Sequence, residues 1–420
     1  YENQQLNVDE LANVKEVTSE NVPIPEGFYY VGGTKDGGVV ISDVEGDDLN
    51  NSKQGNQFVW VPVNQNQKLM IDVTSKQEMV EIVITQPDGT QSIISASGKT
   101  YNGEIPMTKN GVYEVEVKTG TTSKTSSKRV SSLYAQDVKL FTLSLREQLK
   151  LVASETYDTV SEFLEAKGVD SIEQFLSSVG YSSIEQYMLD KVIYIEELKE
   201  DFEKSLQGTI LEVTDNNQNL ESVNKYGGYY IGRYEAGDGE ATSPRIYSAS
   251  DTNTLVSKKG AYSYIYISCN GAKSLSSEMY SENDAVTSQL ITGAGWDRVL
   301  NWIIETREKT ENEALVNSCS WGNYNNSTGN AAINAGESNI NYTTGRSEYW
   351  KANNIYDLAG NMWEWTQESY RGAAVDRGGA YDCFGQVNPA SNRYYGTENN
   401  PTPDWEDDND SFRVQLYINV

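Results

Sequence analysis

No histidine occurs anywhere in the 420 residues. Without imidazole the chain cannot build a Ser-His-Asp or Cys-His catalytic group, a two-His-one-carboxylate iron site or a His-ligated zinc. Cysteine is nearly as scarce: Cys269, Cys319 and Cys383 allow one disulfide at most and leave a thiol over. Basic residues are short too, 33 against 61 acidic, for a formal net charge of −28. A chain this acidic, with no long Lys/Arg cluster, repels phosphate backbones and anionic lipid surfaces. That argues against nucleic acid as a partner and against direct membrane binding. No apolar stretch reaches the roughly 18 residues that a membrane-spanning helix needs. The chain starts at Tyr1 with no initiator Met and no signal-type segment, so a processed or trimmed form is expected.

What is present is enough for real cores: 37% of the residues are hydrophobic, and tyrosine alone accounts for 28. The length predicts two or three domains. Carboxylate chemistry, hard-cation sites and thiol chemistry remain open to it. Aromatic and Asn/Ser/Thr richness with little cysteine suits an extracellular protein.

Residues 1–22 are polar and acidic and read as a leader or spacer. From Ile24 to Gly33 runs a short aromatic strand ended by a Gly turn, and Phe58 to Val63 forms a second strand closed by Pro62. Between 66 and 118 short strands follow one another: Leu69 to Val73, Val80 to Ile84, Ile93-Ile94 and Val112 to Val117. Turn signals such as Pro87-Asp88-Gly89 and Asn110-Gly111 separate them, the rhythm of a small immunoglobulin-like sandwich. Lys118 to Arg129, rich in Ser, Thr and Lys, reads as a flexible connector. Residues 131–210 read as helical, with Leu145, Leu149, Val152, Val160, Phe163 and Leu164 on one stripe. Asp170 to Phe175 and Ser182 to Tyr187 begin two short helices in the same way, a side-chain cap three residues ahead of a Glu. After 223 the aromatic strand texture returns, in Tyr226 to Glu235. One domain, 23–65 with 223–420, interrupted by an insertion, is the simplest account, because exposed loops accept long insertions at a cost that grows slowly.

The later sequence carries an ordered trio: Asp357-Leu358-Ala359-Gly360-Asn361-Met362-Trp363-Glu364-Trp365, then Arg377-Gly378-Gly379-Ala380-Tyr381, then Ser411-Phe412-Arg413-Val414. It resembles the formylglycine-generating enzyme (sulfatase-modifying factor) family, whose domain is a variant of the C-type lectin fold. Looser matches at Ile24 to Gly33, Tyr229 to Ala236 and Thr292 to Trp302 fall in the family's order. The resemblance implies an α+β fold: a C-type-lectin-like domain interrupted by an all-β immunoglobulin-like and helical insertion. It also implies a structural calcium ion held by the side chains of Asp357 and Glu364 and the carbonyls of Gly360 and Met362, a hard-cation oxygen shell. The competing reading of the box is a satisfied structural loop with Trp363 and Trp365 in the core.

Catalysis is where the resemblance breaks. Cys383 stands at the first of the family's two copper-binding cysteines, but Asn388 stands at the second. One thiolate cannot form the linear dithiolate site that Cu(I) favours, and the iron-dependent relatives use histidines. No enzyme activity and no copper are therefore expected, with a copper oxidase using Cys383 as the alternative. What fills the segment instead is Tyr381, Asp382, Cys383, Phe384, Gln386, Asn388, Asn392, Tyr394, Tyr395 and Trp405. Tyr and Asn on a rigid scaffold make an antibody-like contact surface for protein or sugar. The segment is similar to that of the family's non-catalytic variable proteins, diversified by retroelements that mutate template adenines. Asn-type codons changed at their first two positions could give Cys383, Phe384, Tyr394 and Tyr395, but not Gln386 or Trp405. The acidic run 404–410 reads first as a solvated loop. The resulting expectation is an extracellular, adhesin-like protein on a bacterial surface, anchored by a segment before Tyr1, or on a phage tail. It would bind a protein or glycan on another cell or surface; a structural surface subunit is the remaining alternative.

Overall fold

The computed structural model describes residues 5–63, 68–74, 77–106, 111–120, 123–130, 137–140, 160–182, 217–247, 254–335, 341–370, 373–394 and 403–420. The chain divides into two compact units, 1–65 with 213–420, and 66–212. Among the described residues both are mostly β-structure with some helices, so the class is α+β.

The first unit is organised by a six-stranded antiparallel sheet in the order Val286–Leu290, Val414–Ile418, Gly228–Gly232, Gln57–Pro62, Val40–Ser42, Tyr29–Gly32. The strand Gln57–Pro62 is buried almost throughout, Phe58 and Trp60 on one face and Val59 and Val61 on the other. Its run of β-branched and aromatic residues suits that place, and Pro62 stops it because proline cannot donate to the ladder. Gly228 lies opposite Pro62, and the Val63 amide donates to the Gly227 carbonyl at 2.9 Å. The chain thus leaves this unit and rejoins it at adjacent strand ends. Trp60 meets Tyr230 edge-on at 4.9 Å within a core that also holds Phe28, Phe58, Tyr264, Trp365 and Phe412.

A second, mixed sheet carries the motifs. Its order is Arg393–Tyr394, Ala373–Arg377, Trp363–Tyr370, Asp410–Phe412, the last pair parallel. The helix Gly293–Glu305, capped by the Thr292 hydroxyl, buries Trp296, Val299, Leu300, Trp302 and Ile303.

Residues 1–22 are not simply a spacer. Val14–Val17 pairs with Pro23–Pro25, and Val14, Val22 and Ile24 enter the core. The polar composition hid two apolar positions, which are what a short strand needs to hold on.

The second unit contains a four-stranded sheet, Ser123–Val130, Gly111–Thr119, Met79–Thr85, Gln91–Ser95, and a three-stranded one, Asp137–Leu140, Lys68–Thr74, Thr100–Pro106. Ile71 of the second joins Ile82, Ile84, Tyr113, Val115 and Val117 of the first in one core. The expected connector is itself a strand: Ser123–Val130 pairs with Gly111–Thr119 along its whole length. Its Ser, Thr and Lys composition fits an edge strand, where charge and hydroxyls are tolerated. The expected helical stretch also opens with a strand, Asp137–Leu140. Helices follow at Val160–Lys167 and Ile172–Val179, joined by a Phe163–Phe175 ring contact at 4.8 Å. The cap of the latter helix is Ser171, one residue beyond Asp170, with its hydroxyl accepting from the Gln174 amide. Leu145, Leu149, Val152 and the second echo, from Ser183 on, lie outside the described residues.

Candidate functional site

The box Asp357 to Trp365 turns sharply because Asp357, Gly360 and Asn361 all take positive φ, at 61°, 70° and 65°. Gly360 has no alternative: a Cβ there would stand 2.1 Å from the Asn323 carbonyl oxygen. The turn ties distant segments together. The Gly360 amide donates to Gly378 O at 3.0 Å, the Asn361 amide to Asn323 O at 2.8 Å, and the Asn361 side-chain amide to Glu235 Oε2 at 2.5 Å. Trp365 is buried in the core, and Trp363 is nearly so.

The residues expected to hold calcium are engaged otherwise. Glu364, fully buried, takes Arg413 through both oxygens, at 2.9 Å from Nε and 2.5 Å from Nη2. The Gly360 carbonyl accepts from the Met362 amide at 3.0 Å, and that amide also reaches Glu235 Oε1 at 3.1 Å. Asp357 accepts through Oδ2 from Thr344 Oγ1 at 2.9 Å and the Gly345 amide at 2.7 Å. Among the described residues its Oδ1 has no hydrogen-bond partner. Among the described residues no three Asp, Glu or Cys side chains converge as a metal site would need. Arg413 occupies both Glu364 oxygens that the resemblance gives to the ion, so that carboxylate does not fit calcium as it is placed. Burial pushes the Asp357 carboxyl up to about 6 and Glu364 to about 7, with Arg413 opposing the shift. Glu235 is raised well above its ordinary value by burial and by the neighbouring Asp357 and Glu364.

The Arg-Gly-Gly landmark is equally buried. Arg377 donates to Asn392 O at 2.9 Å, Glu368 at 3.1 Å and Asp297 at 2.8 Å, and Arg393 bonds the same two carboxylates. The glycines after Arg377 take φ of +91° and +78°, and a Cβ on Gly379 would stand 2.4 Å from Asn388 O.

Between these anchors the segment from 380 is pinned from behind. Cys383 O accepts from the Asn325 amide, Gly385 O from the Ser318 amide, and the Asn388 amide donates back to Phe384 O. Gln386 Oε1 accepts from Asn326 Nδ2 at 2.5 Å and from the Cys319 thiol at 3.1 Å. Asn392 is buried and gives its side-chain amide to Asn388 Oδ1 at 2.8 Å. Gln386, Asn388 and Asn392, expected at the ligand face, therefore hold the loop. Asn392 is withdrawn from contact altogether. Phe384, Tyr394 and Trp405 are exposed at 48%, 49% and 47%, with Asp382 exposed and Tyr381 and Cys383 half-buried. Tyr395 lies outside the described residues.

Contacts link the exposed positions. Asn409 Nδ2 reaches both Asp382 oxygens at 3.3 Å, the Trp363 amide donates to Asn409 O, and the Trp363 and Tyr394 rings lie 5.6 Å apart. Tyr266, 40% exposed with φ of +50°, donates its amide to Asp407 O at 2.8 Å. The sequence reading missed Tyr266, because nothing local shows that a residue so far upstream meets this rim.

The thiols are poorly placed for chemistry that needs thiolate. Burial, then Asp382 and Asp376, pushes Cys383 up to about 12, and burial pushes Cys269 to about 11 and raises Cys319.

No protein-family model matches the chain, and no curated protein is similar to it. A solved structure that it resembles is Treponema denticola variable protein 1, at 12% identity and a TM-score of 0.30, covering 45% of this chain and 84% of that one. A likeness this slight carries no argument, and the fold family has to be argued from the chain itself.

Proposed function

We propose that the protein is a non-catalytic, extracellular binding protein whose ligand meets the segment 380–411. In this reading the scaffold is a C-type-lectin-type domain of the formylglycine-generating kind, its exposed positions are diversified by a retroelement, and it stands on a bacterial surface or a phage tail. The observation that carries it is the contrast within that segment. Phe384, Tyr394 and Trp405 project from it, while Arg377, Arg413, Gly360 and Asn392 around it are fully or nearly fully buried and bonded. Large aromatic side chains on a fixed backbone offer contact area at small entropic cost. The absence of thiol-based activity is supported by the burial that pushes all three thiols up and by Asn388, whose side chain is bonded to Asn392 where a second cysteine would be needed.

Gln386, which an adenine-mutated Asn codon cannot produce, has a scaffold task in bonding Asn326 and Cys319, so it belongs to the constant set. Trp405 belongs there as a fixed aromatic of the rim. Sequencing the gene across a population of its source tests this. Substitutions should gather at Asp382, Cys383, Phe384, Tyr394 and Tyr395, and spare Gln386, Asn392 and the box. A segment as constant as Gly360 to Trp365 would overturn the diversified reading.

A further inference from the structure

Arg413 is the point at which separate stretches of the chain meet. Besides both oxygens of Glu364, its side chain donates to Gly232 O through Nη1 and to Tyr356 O through Nη2, each at 2.9 Å. Gly232 ends a strand of the six-stranded sheet, Tyr356 comes just before the sharp turn of the box, and Glu364 stands near the start of the strand beyond it. The Arg413 carbonyl adds the Ile291 amide, at 3.1 Å. Arg413 and Glu364 are both fully buried. The guanidinium thus cross-links remote segments through carboxylate and carbonyl oxygens, the ligand types that a hard structural cation gathers.

Two observations separate this guanidinium from its counterpart Arg377. The first is charge. Asp357 and Glu235 feel the same cation as Glu364, and no second cation shares the load, whereas Arg377 divides Glu368 and Asp297 with Arg393. The second is a spare oxygen. Asp357, 1% exposed, directly follows the residue whose carbonyl Arg413 holds, and its Oδ1 has no hydrogen-bond partner among the described residues. A buried carboxylate oxygen without a donor is costly, and a cation with a larger charge would use it.

We infer that Arg413 is a tethered cation in the place of a metal ion, and that the oxygens it gathers become a site for a hard divalent cation, calcium by ligand type, once the guanidinium is removed. The ligands are Glu364, the carbonyls of Gly232 and Tyr356, and Asp357 Oδ1. Water completes the shell, which calcium accepts in irregular geometry. This set differs from the one that the resemblance implies, since Gly232 and Tyr356 replace Gly360 and Met362. A guanidinium is always charged and, being part of the chain, cannot dissociate, so the box keeps its form at any calcium concentration. None of this depends on what the segment 380–411 binds.

Melting followed by tryptophan fluorescence tests the inference, because all eight tryptophans lie in the first unit. Four full-length chains are compared at about pH 8, each with calcium and with a chelator. They are the unaltered chain, Arg413→Ala, the double variant Arg413→Ala with Glu364→Gln, and Arg377→Ala, in which Arg393 remains on both acids. Arg413→Ala should melt early or be unfolded in chelator, and gain about 5 °C or more from saturating calcium. The other three should not respond. An Arg413→Ala chain that stays unfolded in calcium, or folds without responding to it, overturns the inference. An equal response of the double variant would assign the ion to the acidic surface and overturn it as well. A response of the unaltered chain would make the ion a companion of the guanidinium, not its alternative, with the same result. A response of Arg377→Ala would show that any buried arginine leaves such a site, and would remove what is claimed for Arg413. Guanidinium chloride far below its denaturing range is the second probe of Arg413→Ala. Rescue by it and not by calcium would tie the oxygens to a planar cation and overturn the divalent site.

Discussion

Two buried charge networks lie under the same landmarks, and they are built on different arithmetic. Around Arg377 and Arg393 stand Asp297 and Glu368, two cations for two anions, each guanidinium reaching both carboxylates. Around Arg413 stand Glu364, Asp357 and Glu235, three carboxyls for one guanidinium. The balanced network can be satisfied without protons. The unbalanced one cannot be fully ionised in an interior, and so its stability is tied to pH. The comparison shows why two arginines of similar burial and similar motif character should respond differently to the same perturbation.

The largest expected effect comes from removing the lone cation. Arg413→Met leaves three carboxyls buried together and should cost about 3–5 kcal/mol or prevent folding, read by urea denaturation. Arg377→Met leaves Arg393 to serve both acids, one of them half-exposed, and should cost less, about 2–3 kcal/mol. Equal losses would erase the distinction between the networks.

The pH dependence follows in size. The folded carboxyls titrate above their unfolded values, Asp357 at about 6 and Glu364 at about 7. The folded state therefore holds more protons between about pH 4 and those values, and stability falls as pH rises through them. Glu235→Gln removes one competing charge and keeps an acceptor for one of the Asn361 and Met362 amides, so it should flatten the fall. Asp410, pushed up to about 8 by burial and then by Asp407, Asp408 and Asp382, leaves part of it in place. Melting curves from about pH 5 to about pH 8 read both. A stability that rises over this range would contradict the unbalanced network.

The smallest expected effect is that of calcium. With Arg413 on both oxygens of Glu364, melting at about pH 8 should be the same with calcium as with a chelator. A clear rise with calcium would mean that an ion supplements the guanidinium, and would restore the resemblance's calcium site.

Much of the fold's framework was legible. Alternating aliphatic and aromatic runs marked Gln57–Pro62, Gly228–Gly232 and Met79–Thr85, because strand burial writes itself into residue type. The edge strand Ser123–Val130 was not legible, since an edge needs no apolar pattern. Val14–Val17 was missed because it draws its stability from a core assembled far along the chain. In the site, the landmarks' burial and the exposure of Phe384, Tyr394 and Trp405 could be anticipated. The tasks of Gln386 and Asn392 could not, since both depend on partners fixed by the folded loop. The bond from Arg413 to Glu364 was not legible for a related reason: a carboxylate suits a guanidinium as well as an ion, and the sequence does not say which of the two arrives.

The strand Val414–Ile418 sits inside the six-stranded sheet, between Gly228–Gly232 and Val286–Leu290, yet it is made after every strand that it touches. During synthesis those neighbours must wait with the edges that face it unpaired, while the inserted unit 66–212, compact by itself, has already been made. Closing the sheet demands contacts across nearly the whole sequence, which makes it slow. A chain released short of this strand keeps open edges that invite aggregation. The late strand thus defers closure of the six-stranded sheet until translation has passed it.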